Sequence, residues 1–426
     1  MRLFLWIGTL LLLFVLTVAP LPSQAVGENN FEALKRFSQV LDIVESHYVQ
    51  DIPRSVLIED AIKGMLEQLD PHSTYLSKDD FKDIQISTSG EFTGIGIEIS
   101  LENGRLTVIS PIEDTPAHKA GLKSGDIILE IDGQSTQDIS LTEAVKRIRG
   151  PKGSTVKLII LHKGSNKPET VAIVRGTIPI HSVKTQELEP GYLYVRLTRF
   201  NENTTRDLQD KLKEYKAKQE IKGLVLDLRN NPGGLLDQAV TVADVFLSDG
   251  LVVYIQGRDA AQRKDFPASR GNDDVAAPMV TLINPGSASA SEIVAGALQD
   301  HKRALLVGER TFGKGSVQTV IPLSDGTGIK LTTALYYTPN GRSIQAQGIL
   351  PDLEVPFVPV DNDQDGDDRR FTLREQDLSR HLENNGGNKA KGGSANKEAQ
   401  DMVAQDNQLR LGLELVKKLP VIRQIR

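Results

Sequence analysis

The segment NPGSASASEIVAGALQD, which begins at Asn284, carries three serines before an apolar pattern of helical spacing: Ser287, Ser289 and Ser291. Ser289 stands three residues before Glu292, so the two predict a capping box, and by spacing alone a capping role is the simpler interpretation. The same placement suits a nucleophile, because the first N–H groups of a helix lack partners and carry positive partial charge. The N–H of Ala290 would then stabilise a developing oxyanion.

A serine nucleophile needs a base, and this sequence favours lysine over histidine. No histidine falls in the glycine-rich turns LRNNPGG, NPGSAS and RTFGKG. His301 lies about 18 Å along the helix that Ser289 would begin. Lys314 lies between two glycines after an apolar strand. A lysine is a poor base while protonated, but desolvation in an apolar pocket lowers its pKa. Lys314 is therefore the candidate base.

The composition limits the classes of protein to consider. A chain of 426 residues is long enough for roughly three domains, each with its own core. With 50 Lys and Arg against 56 Asp and Glu, the net charge is -6, which argues against a nucleic-acid binder. The chain has no cysteine, which excludes disulfides, thiolate metal sites and a thiol nucleophile.

The N-terminus predicts export. Arg2 precedes the apolar run LFLWIGTLLLLFVLTVA, which is followed by PLP and by SQA ending at Ala25. This pattern is typical of a cleaved signal peptide over residues 1–25. The alternative is an uncleaved membrane anchor, because about 17 apolar residues just span a thin bilayer. In both cases we expect a periplasmic or otherwise extracytoplasmic protein.

Residues 26–89 are expected to form an N-terminal helical region. Apolar residues recur there at spacings of three and four: Leu34, Phe37, Leu41, Val44 and Tyr48. This stripe predicts either an ordinary core-facing helix or a contact between two copies of the chain. A second amphipathic stripe near the C-terminus supports the expectation of a homo-oligomer.

Residues 90–178 resemble a PDZ domain. The resemblance rests on FTGIGIEI and AGLKSGDIILEIDG, within a pattern of short strands and one amphipathic helix. It implies that a loop of four residues captures a terminal carboxylate: Gly94, Ile95, Gly96 and Ile97. Gly94 and Gly96 let successive N–H groups point at one anion, and the next strand pairs with an extended peptide.

Residues 179–357 alternate strands and helices, which predicts a largely parallel sheet flanked by helices. The glycine-rich turns follow its strands, where such sheets bind ligands. Residues 358–426 are expected to form a flexible acidic and Gly-rich linker and a C-terminal helix that ends at Pro420. Asp361, Asp363 and Asp365 match the start of an EF-hand loop, but Thr372 replaces its bidentate Glu, so no metal site is predicted.

Taken together, these motifs resemble the carboxy-terminal processing peptidases, which are Ser-Lys endopeptidases with an embedded PDZ domain. The resemblance rests on GSASASEI, on GERTFGKGSVQ 25 residues later, on LRNNPGG and on LDPHSTYL. It implies that Ser289 is the nucleophile, that Lys314 is the base and that Gln318 orients Lys314. It also implies a second oxyanion-hole N–H from Gly233 or Gly234.

The resemblance implies an α/β multidomain fold: an N-terminal helical region, a PDZ domain before a ClpP/crotonase-like α/β protease core with a cap, and a helical tail. It implies an acyl-enzyme mechanism without a metal or organic cofactor. Substrates would be proteins or peptides with apolar C-termini, and the resemblance leaves open whether an accessory lipoprotein delivers them. Arg175 resembles an arginine that relays PDZ docking; its alternative role is a surface charge at a domain join.

Two other classes of protein are weighed against this hypothesis. The first is a PDZ peptide-binding adaptor or holdase on an inactive peptidase scaffold, which would have no need to keep Ser289, Lys314 and Gln318 together. The second is a trypsin-like protease with a PDZ module. It is excluded because the chain lacks a suitable histidine and the strand–helix alternation does not suit a double β-barrel. The sequence therefore favours a PDZ-gated serine endopeptidase.

Overall fold

The computed structural model describes residues 26–102, 104–269, 275–358 and 402–424. The predicted signal peptide and the predicted acidic linker from 359 to 401 lie outside these residues. The chain forms two compact units, one ending at Gln68 and one beginning at Leu69. None of the helices in the described ranges combines the length and the apolar character needed to cross a membrane.

The first unit contains two helices, α1 (Val26–His47) and α2 (Arg54–Glu67). Arg54 connects them, since its guanidinium pairs with Asp42 and Glu45 of α1. Most of the apolar side chains on α1 are exposed to solvent, among them Phe31, Leu34, Phe37, Val40 and Ile43. The predicted helical region is thus confirmed, and much of its apolar face is not buried within the chain.

The second unit begins with β1 (Thr74–Leu76) and α3 (Lys78–Ser89). A reciprocal capping box between Ser77 and Asp80 starts α3, and Gly90 ends it in the left-handed conformation at φ 72°. β1 pairs antiparallel with residues 328–330, far along the chain. These elements therefore belong to the second unit.

The PDZ domain follows as a small strand-rich layer with its own apolar core. Its elements are β2 (Glu91–Gly94), β3 (Ile97–Glu102), β4 (Arg105–Pro111), α4 (Pro116–Lys119), β5 (Ile127–Ile131), β6 (Gln134–Ser135), α5 (Leu141–Ile148), β7 (Thr155–Leu161), β8 (Glu169–Val174) and β9 (Gly176–Pro179). The main sheet has the order β3-β4-β5-β7-β8, with β6 beside β5. Among the described strands β3 pairs only with β4, and no described strand covers its other edge.

The remaining elements build the α/β core and a second sheet. They are β10 (Val183–Glu189), β11 (Tyr192–Leu197), α6 (Thr204–Lys216), β12 (Gly223–Asp227), α7 (Leu236–Asp244), β13 (Leu251–Gly257), β14 (Lys264–Pro267), β15 (Met279–Ile283), α8 (Ala290–Asp300), β16 (Leu305–Gly308), β17 (Ser316–Pro322), β18 (Gly328–Tyr337), β19 (Leu353–Glu354) and α9 (Asn407–Gln424). A short 3₁₀ turn at Ala260–Gln262 precedes β14.

The core sheet has the order β10-β11-β12-β15-β16-β19. Only the β10–β11 pair is antiparallel; the other four pairs are parallel. All residues of β12 and β15 are buried, as expected for central strands covered on both faces. Because these strands are parallel, the turns that follow β12, β15 and β16 meet at one edge of the sheet.

The second sheet contains β1, β18, β13 and β14, with β17 also paired to β18. The glycine-rich turn after β16 leads into β17, whereas the turns after β12 and β15 lead into α7 and α8. The turn that carries Lys314 therefore joins the core sheet to the second sheet.

The C-terminal helix α9 packs on the core sheet against β12, β15 and β16. Leu409, Leu413 and Val416 are buried there with Val225 and Val280 of the sheet. The apolar stripe near the C-terminus, expected between copies of the chain, is therefore buried in the chain's own core. The helix also continues through Pro420 to Gln424 and does not end at the proline.

Candidate active site

Ser289 occupies the turn between the buried strand β15 and helix α8. Its backbone has φ 57° and ψ -115°, whereas capping residues normally have extended dihedrals. Positive φ is strained for a residue with a side chain, and such strain is concentrated at functional sites. One half of the predicted capping box is present, because the N–H of Ser289 donates to Glu292 Oε2 at 2.8 Å. The backbone of Ser289 nevertheless differs from that of an ordinary cap.

The two neighbouring serines bind this turn to the one after β12. Ser287 and Ser291 are fully buried. Ser287 Oγ donates to the carbonyl of Leu228 at 2.8 Å, and Ser291 Oγ donates to the carbonyl of Asn231 at 2.9 Å. Both hydroxyls therefore join the two turns, and they fix the position of the residue between them.

Glu292 connects the turn of Ser289 to the turn of Lys314. Its side chain is fully buried. One carboxylate oxygen accepts the N–H groups of Ser289 and Lys314, at 2.8 and 2.9 Å. The other accepts the Thr311 hydroxyl and the N–H of Gly313. Burial raises the pKa of Glu292 to about 7, against the lowering effect of these four hydrogen bonds.

Lys314 is half-buried in a turn held by the segment 344–349. The N–H of Ala346 donates to the carbonyl of Gly313 at 2.8 Å, and the N–H of Gly315 donates to Gln345 Oε1 at 2.9 Å. The Tyr336 hydroxyl donates to the carbonyl of Lys314. The main chain on both sides of Lys314 is therefore fixed by buried contacts.

Gln318 lies on β17 and takes part in a chain of polar contacts. Its Nε2 donates to Ser316 Oγ and to Thr332 Oγ1, each at 3.1 Å. Thr332 Oγ1 in turn donates to Asp70 Oδ1 at 3.0 Å. Asp70 belongs to the LDPHSTYL motif, so that motif supports the strand pair that carries Gln318. The role implied for Gln318, orienting Lys314, stays a prediction.

The three candidate oxyanion-hole donors differ in whether their N–H group is already hydrogen-bonded within the chain. The N–H of Gly233 donates to Asn231 Oδ1 at 2.9 Å. No group in the described part of the chain accepts a hydrogen bond from the N–H of Gly234 or of Ala290. Ala290 is the first residue of α8, where the positive end of the helix dipole favours an anion. In this arrangement Gly234 and Ala290 retain the N–H groups that an oxyanion requires.

Gly233 leaves space for the turn of Ser289, and its implied role as an oxyanion-hole donor stays a prediction. Its φ is 98°, and a Cβ at this position would lie 2.8 Å from Cβ of Ser289 and 2.9 Å from N of Ala290. Such distances are shorter than contacting atoms tolerate. The two turns therefore approach each other closely only because residue 233 is glycine.

The predicted carboxylate-binding loop of the PDZ domain is buried at Gly94, Ile95 and Gly96 and contains two N–H groups that no described residue accepts. Gly94 ends β2, Ile95 is buried in the PDZ core, Gly96 has φ 80° and Ile97 begins β3. The carbonyls of Ile95 and Gly96 accept N–H groups of Ala117 and Ile112. Within the described residues no acceptor contacts the N–H of Ile95 or Gly96. These donors lie beside the open edge of β3.

Arg175 is buried inside the PDZ domain, with 7% of its side chain exposed. Its Nε donates to the carbonyl of Ile148 at 2.8 Å, and Nη1 donates to Ser154 Oγ at 3.0 Å. The interpretation of Arg175 as a surface charge is therefore wrong. Its role in relaying PDZ docking stays a prediction.

The sequence pattern predicts only a capping role for Glu292 and does not distinguish Asn231 from its neighbours. Asn231 is fully buried; its carbonyl accepts the N–H of Ala288, and its side chain accepts the N–H of Gly233. The spacing of Glu292 from Ser289 is the same whether Glu292 caps the helix or also binds the turn of Lys314, so the spacing alone does not separate these two roles. For Asn231 the signal was a polar pair directly after a buried strand.

Three family models match consecutive parts of the chain. They are the activating protease CtpB N-terminal domain over residues 17–80, the PDZ domain over 83–161 and peptidase family S41 over 191–355. These ranges follow the order of the N-terminal helices, the PDZ sheet and the α/β core.

Whole proteins are also similar. A carboxy-terminal-processing protease of Bartonella bacilliformis is 47% identical over 358 residues, which are 83% of this chain and 82% of that protein. A carboxyl-terminal-processing protease of a Synechocystis species is 41% identical over 70% of this chain and 71% of its own length. The carboxy-terminal processing protease CtpB of Bacillus subtilis is 37% identical over 79% and 70%.

Substituting Gly233→Ala is expected to lower the rate of peptide cleavage by about 100-fold, because the added Cβ displaces Ser289 or Ala290. The control is Gly153→Ala, which also has positive φ but has open space around its Cβ position. Both variants lose about 1–2 kcal/mol to left-handed backbone strain, and only Gly233→Ala should lose activity. Equal activity of the two variants, measured with a fluorogenic peptide, would contradict the close approach of the two turns.

The raised pKa of Glu292 predicts a pH dependence of stability. Between its ordinary pKa of 4.5 and about 7, the folded chain keeps a proton that the unfolded chain releases. The contribution of Glu292 to the free energy of unfolding therefore falls by about 3 kcal/mol as the pH rises through this window. The control is Glu292→Gln, which cannot titrate. Urea unfolding followed by circular dichroism should show wild type losing stability relative to this variant from pH 5 to pH 7; a constant difference would mean that the pKa is not raised.

Proposed function

The chain belongs to the carboxy-terminal processing proteases, which are serine peptidases of family S41 with a PDZ domain, and on this premise we propose that Ser289 is its nucleophile and Lys314 its base. The observation that carries the proposal is the shared carboxylate oxygen of Glu292, which accepts the backbone N–H of both residues. Two turns 25 residues apart in the sequence are thereby fixed to one buried atom.

In the proposed reaction, Ser289 Oγ attacks the carbonyl carbon of the scissile peptide bond. Neutral Lys314 Nζ takes the hydroxyl proton and gives it to the leaving amine, so that an ester to Ser289 remains. The N–H groups of Ala290 and Gly234 stabilise the oxyanion in both tetrahedral intermediates. Water then hydrolyses the ester, with Lys314 again acting as base and then as acid.

The PDZ domain binds peptide C-termini, and we propose that it selects apolar ones. A C-terminal carboxylate would accept hydrogen bonds from Ile95 and Gly96, and the peptide would add as a strand to the open edge of β3. Ile97 and Ile99 of β3 are partly buried against the PDZ core and leave apolar surface beside that edge. Binding of the peptide C-terminus there would switch on cleavage at Ser289, and we propose that Arg175 transmits this binding to the active site.

We further propose that the protein is exported to the periplasm and is a homo-oligomer, at least a dimer. The N-terminal apolar run and the site ending at Ala25 support export. The exposed apolar face of α1 supports self-association, because contiguous apolar surface on a soluble protein marks interaction sites. Phe31 and Leu34 are 68% and 69% exposed. A second copy of α1 offers a matching apolar face.

Both proposals are tested on one preparation of the full chain, expressed in a Gram-negative host and separated into periplasmic and membrane fractions. Intact mass should show a periplasmic protein that begins at Val26; a membrane-bound protein that retains residues 1–25 would contradict cleavage. Light scattering should give at least a dimer. Phe37→Asp should dissociate it, whereas Gln39→Asp, outside the apolar stripe, should not; a monomeric wild type would contradict self-association.

The dyad is tested with wild type, Ser289→Ala and Lys314→Ala, each beginning at residue 26. The substrate is an unfolded protein that ends in small apolar residues, and fragments are identified by mass spectrometry. Cleavage by wild type should fall to background in both variants, because nucleophile and base are each indispensable. The control Lys184→Ala removes an exposed lysine and should cleave like wild type.

The same substrate ending in two aspartates should be cleaved more slowly.

The remaining outcomes separate the alternatives. If Lys314→Ala cleaves at the wild-type rate, the assignment of the base is wrong. If wild type and all variants bind the substrate equally without cleaving it, the chain acts as an adaptor or requires activation by an accessory lipoprotein. Addition of a periplasmic extract distinguishes these two, since only an enzyme awaiting such a partner would begin to cleave.

A further inference from the structure

Arg229 is a buried residue in the turn that faces Ser289, and two carboxylates hold it from different sides. Its side chain is 7% exposed. Asp227 accepts hydrogen bonds from Nε at 3.0 Å and from Nη2 at 2.7 Å. Asp406 contacts Nη1 at 3.0 Å and Nη2 at 2.7 Å. Each carboxylate therefore engages two guanidinium nitrogens, the geometry that makes such pairs strong and directional.

Asp406 reaches Arg229 from the C-terminal segment, far beyond the end of the S41 match at residue 355. The same side chain caps α9, because its Oδ1 accepts the N–H groups of Gln408 and Leu409 at 3.0 and 2.9 Å. Gln408 is fully buried and adds a further acceptor to Arg229 Nη1 at 2.9 Å. The start of α9 and the guanidinium of Arg229 are thus fixed to each other.

The charges in this cluster balance only when Asp406 is present. Asp227 is fully buried and also contacts Arg196 Nη1 at 3.4 Å and accepts the Tyr194 hydroxyl at 2.7 Å. Two carboxylates therefore face two guanidinium groups. Without the charge of Asp406, two guanidinium groups would share one carboxylate in a buried environment, where an uncompensated charge is costly.

Arg229 lies at the start of a turn that contacts residues on both sides of the nucleophile. The next residue, Asn230, has φ 55°, and its N–H donates to Asn284 Oδ1 at 2.8 Å. The carbonyl of Asn231 accepts the N–H of Ala288 and the hydroxyl of Ser291. A displacement of Arg229 would therefore move the turn from 228 to 234 relative to Ser289, and with it the N–H of Gly234.

We propose that Asp406 is a positioning residue for the hydrolytic reaction: by fixing Arg229, it holds the turn 228–234 in register with Ser289. The C-terminal segment thereby contributes to the active site without touching the substrate. This inference rests on the proposed function, because it concerns the N–H group of Gly234 that stabilises the oxyanion.

The test uses Asp406→Asn in the otherwise complete chain. Asparagine is as good an N-cap as aspartate, so α9 keeps its start, while the negative charge on Arg229 is lost. The control is Lys417→Met on the same helix, which removes the ion pair with Glu189 at 2.6 Å and keeps the apolar stem. Kinetic constants are measured with a fluorogenic peptide, and Tm is measured for each variant.

Asp406→Asn should lower kcat by about tenfold, less than the full loss of an oxyanion donor. KM should stay within about twofold of wild type, because the oxyanion contact is made in the transition state and not in the bound substrate. Lys417→Met should retain the wild-type kcat. A wild-type kcat for Asp406→Asn at a temperature where it is fully folded would reduce Asp406 to a capping residue and overturn the proposal.

Hydrogen exchange provides a readout that does not depend on cleavage. In the Ser289→Ala background, Asp406→Asn should speed exchange of the amides from 228 to 235, and Lys417→Met should not. If wild type does not cleave even after addition of the periplasmic extract, the proposed function fails, yet this comparison still decides whether Asp406 holds the turn. If Asp406→Asn does not fold, Asp406→Ser replaces it, because serine also caps a helix and carries no charge for Arg229; unchanged exchange in that variant overturns the proposal.

Discussion

The arrangement of the active site depends on a single buried carboxylate. Glu292 lies in the first turn of α8, and its two oxygens accept four donors from the turns of Ser289 and Lys314. Burying a charge without such donors is costly. The carboxylate therefore depends on the two turns for its donors, and the two turns depend on the carboxylate for their position. The same burial that raises the pKa of Glu292 also makes its hydrogen bonds strong. A small change at this group would reach the proposed nucleophile and the proposed base at once.

A second network holds the turn after β12 against Ser289, the proposed nucleophile. Ser287 and Ser291 donate to its carbonyls, and Gly233 provides the space for close approach. On the far side, Arg229 connects this turn to the N-terminus of α9. The residues around the nucleophile are therefore supported from the sheet, from the next turn and from the C-terminal helix. Such redundancy suits a site that must hold a strained backbone at Ser289.

The PDZ domain is connected to the same turn through its linkers. Gly90 ends α3, and a Cβ there would lie 2.4 Å from Cγ of Asn201. Asn201 Nδ2 donates to the carbonyl of Ile180, on the return linker from the PDZ domain. The preceding residue, Phe200, donates its N–H to the carbonyl of Gly233. Both linkers of the PDZ domain thus contact Asn201, and the residue before it is bonded to the turn that contains Gly233 and Gly234.

The sequence alone determined the order of domains, the parallel core sheet and the turns that carry Ser289 and Lys314. These features follow from local patterns: buried strands, glycine-rich turns and motif spacing. Only the tertiary structure decided which donors are already bonded, such as the N–H of Gly233, and which distant groups meet, such as Asp406 and Arg229. It also showed that the apolar stripe of α9 is buried in the core of the same chain. Such contacts join residues far apart in the chain, and hydrogen bonds depend on ångström-scale distances that no local pattern encodes.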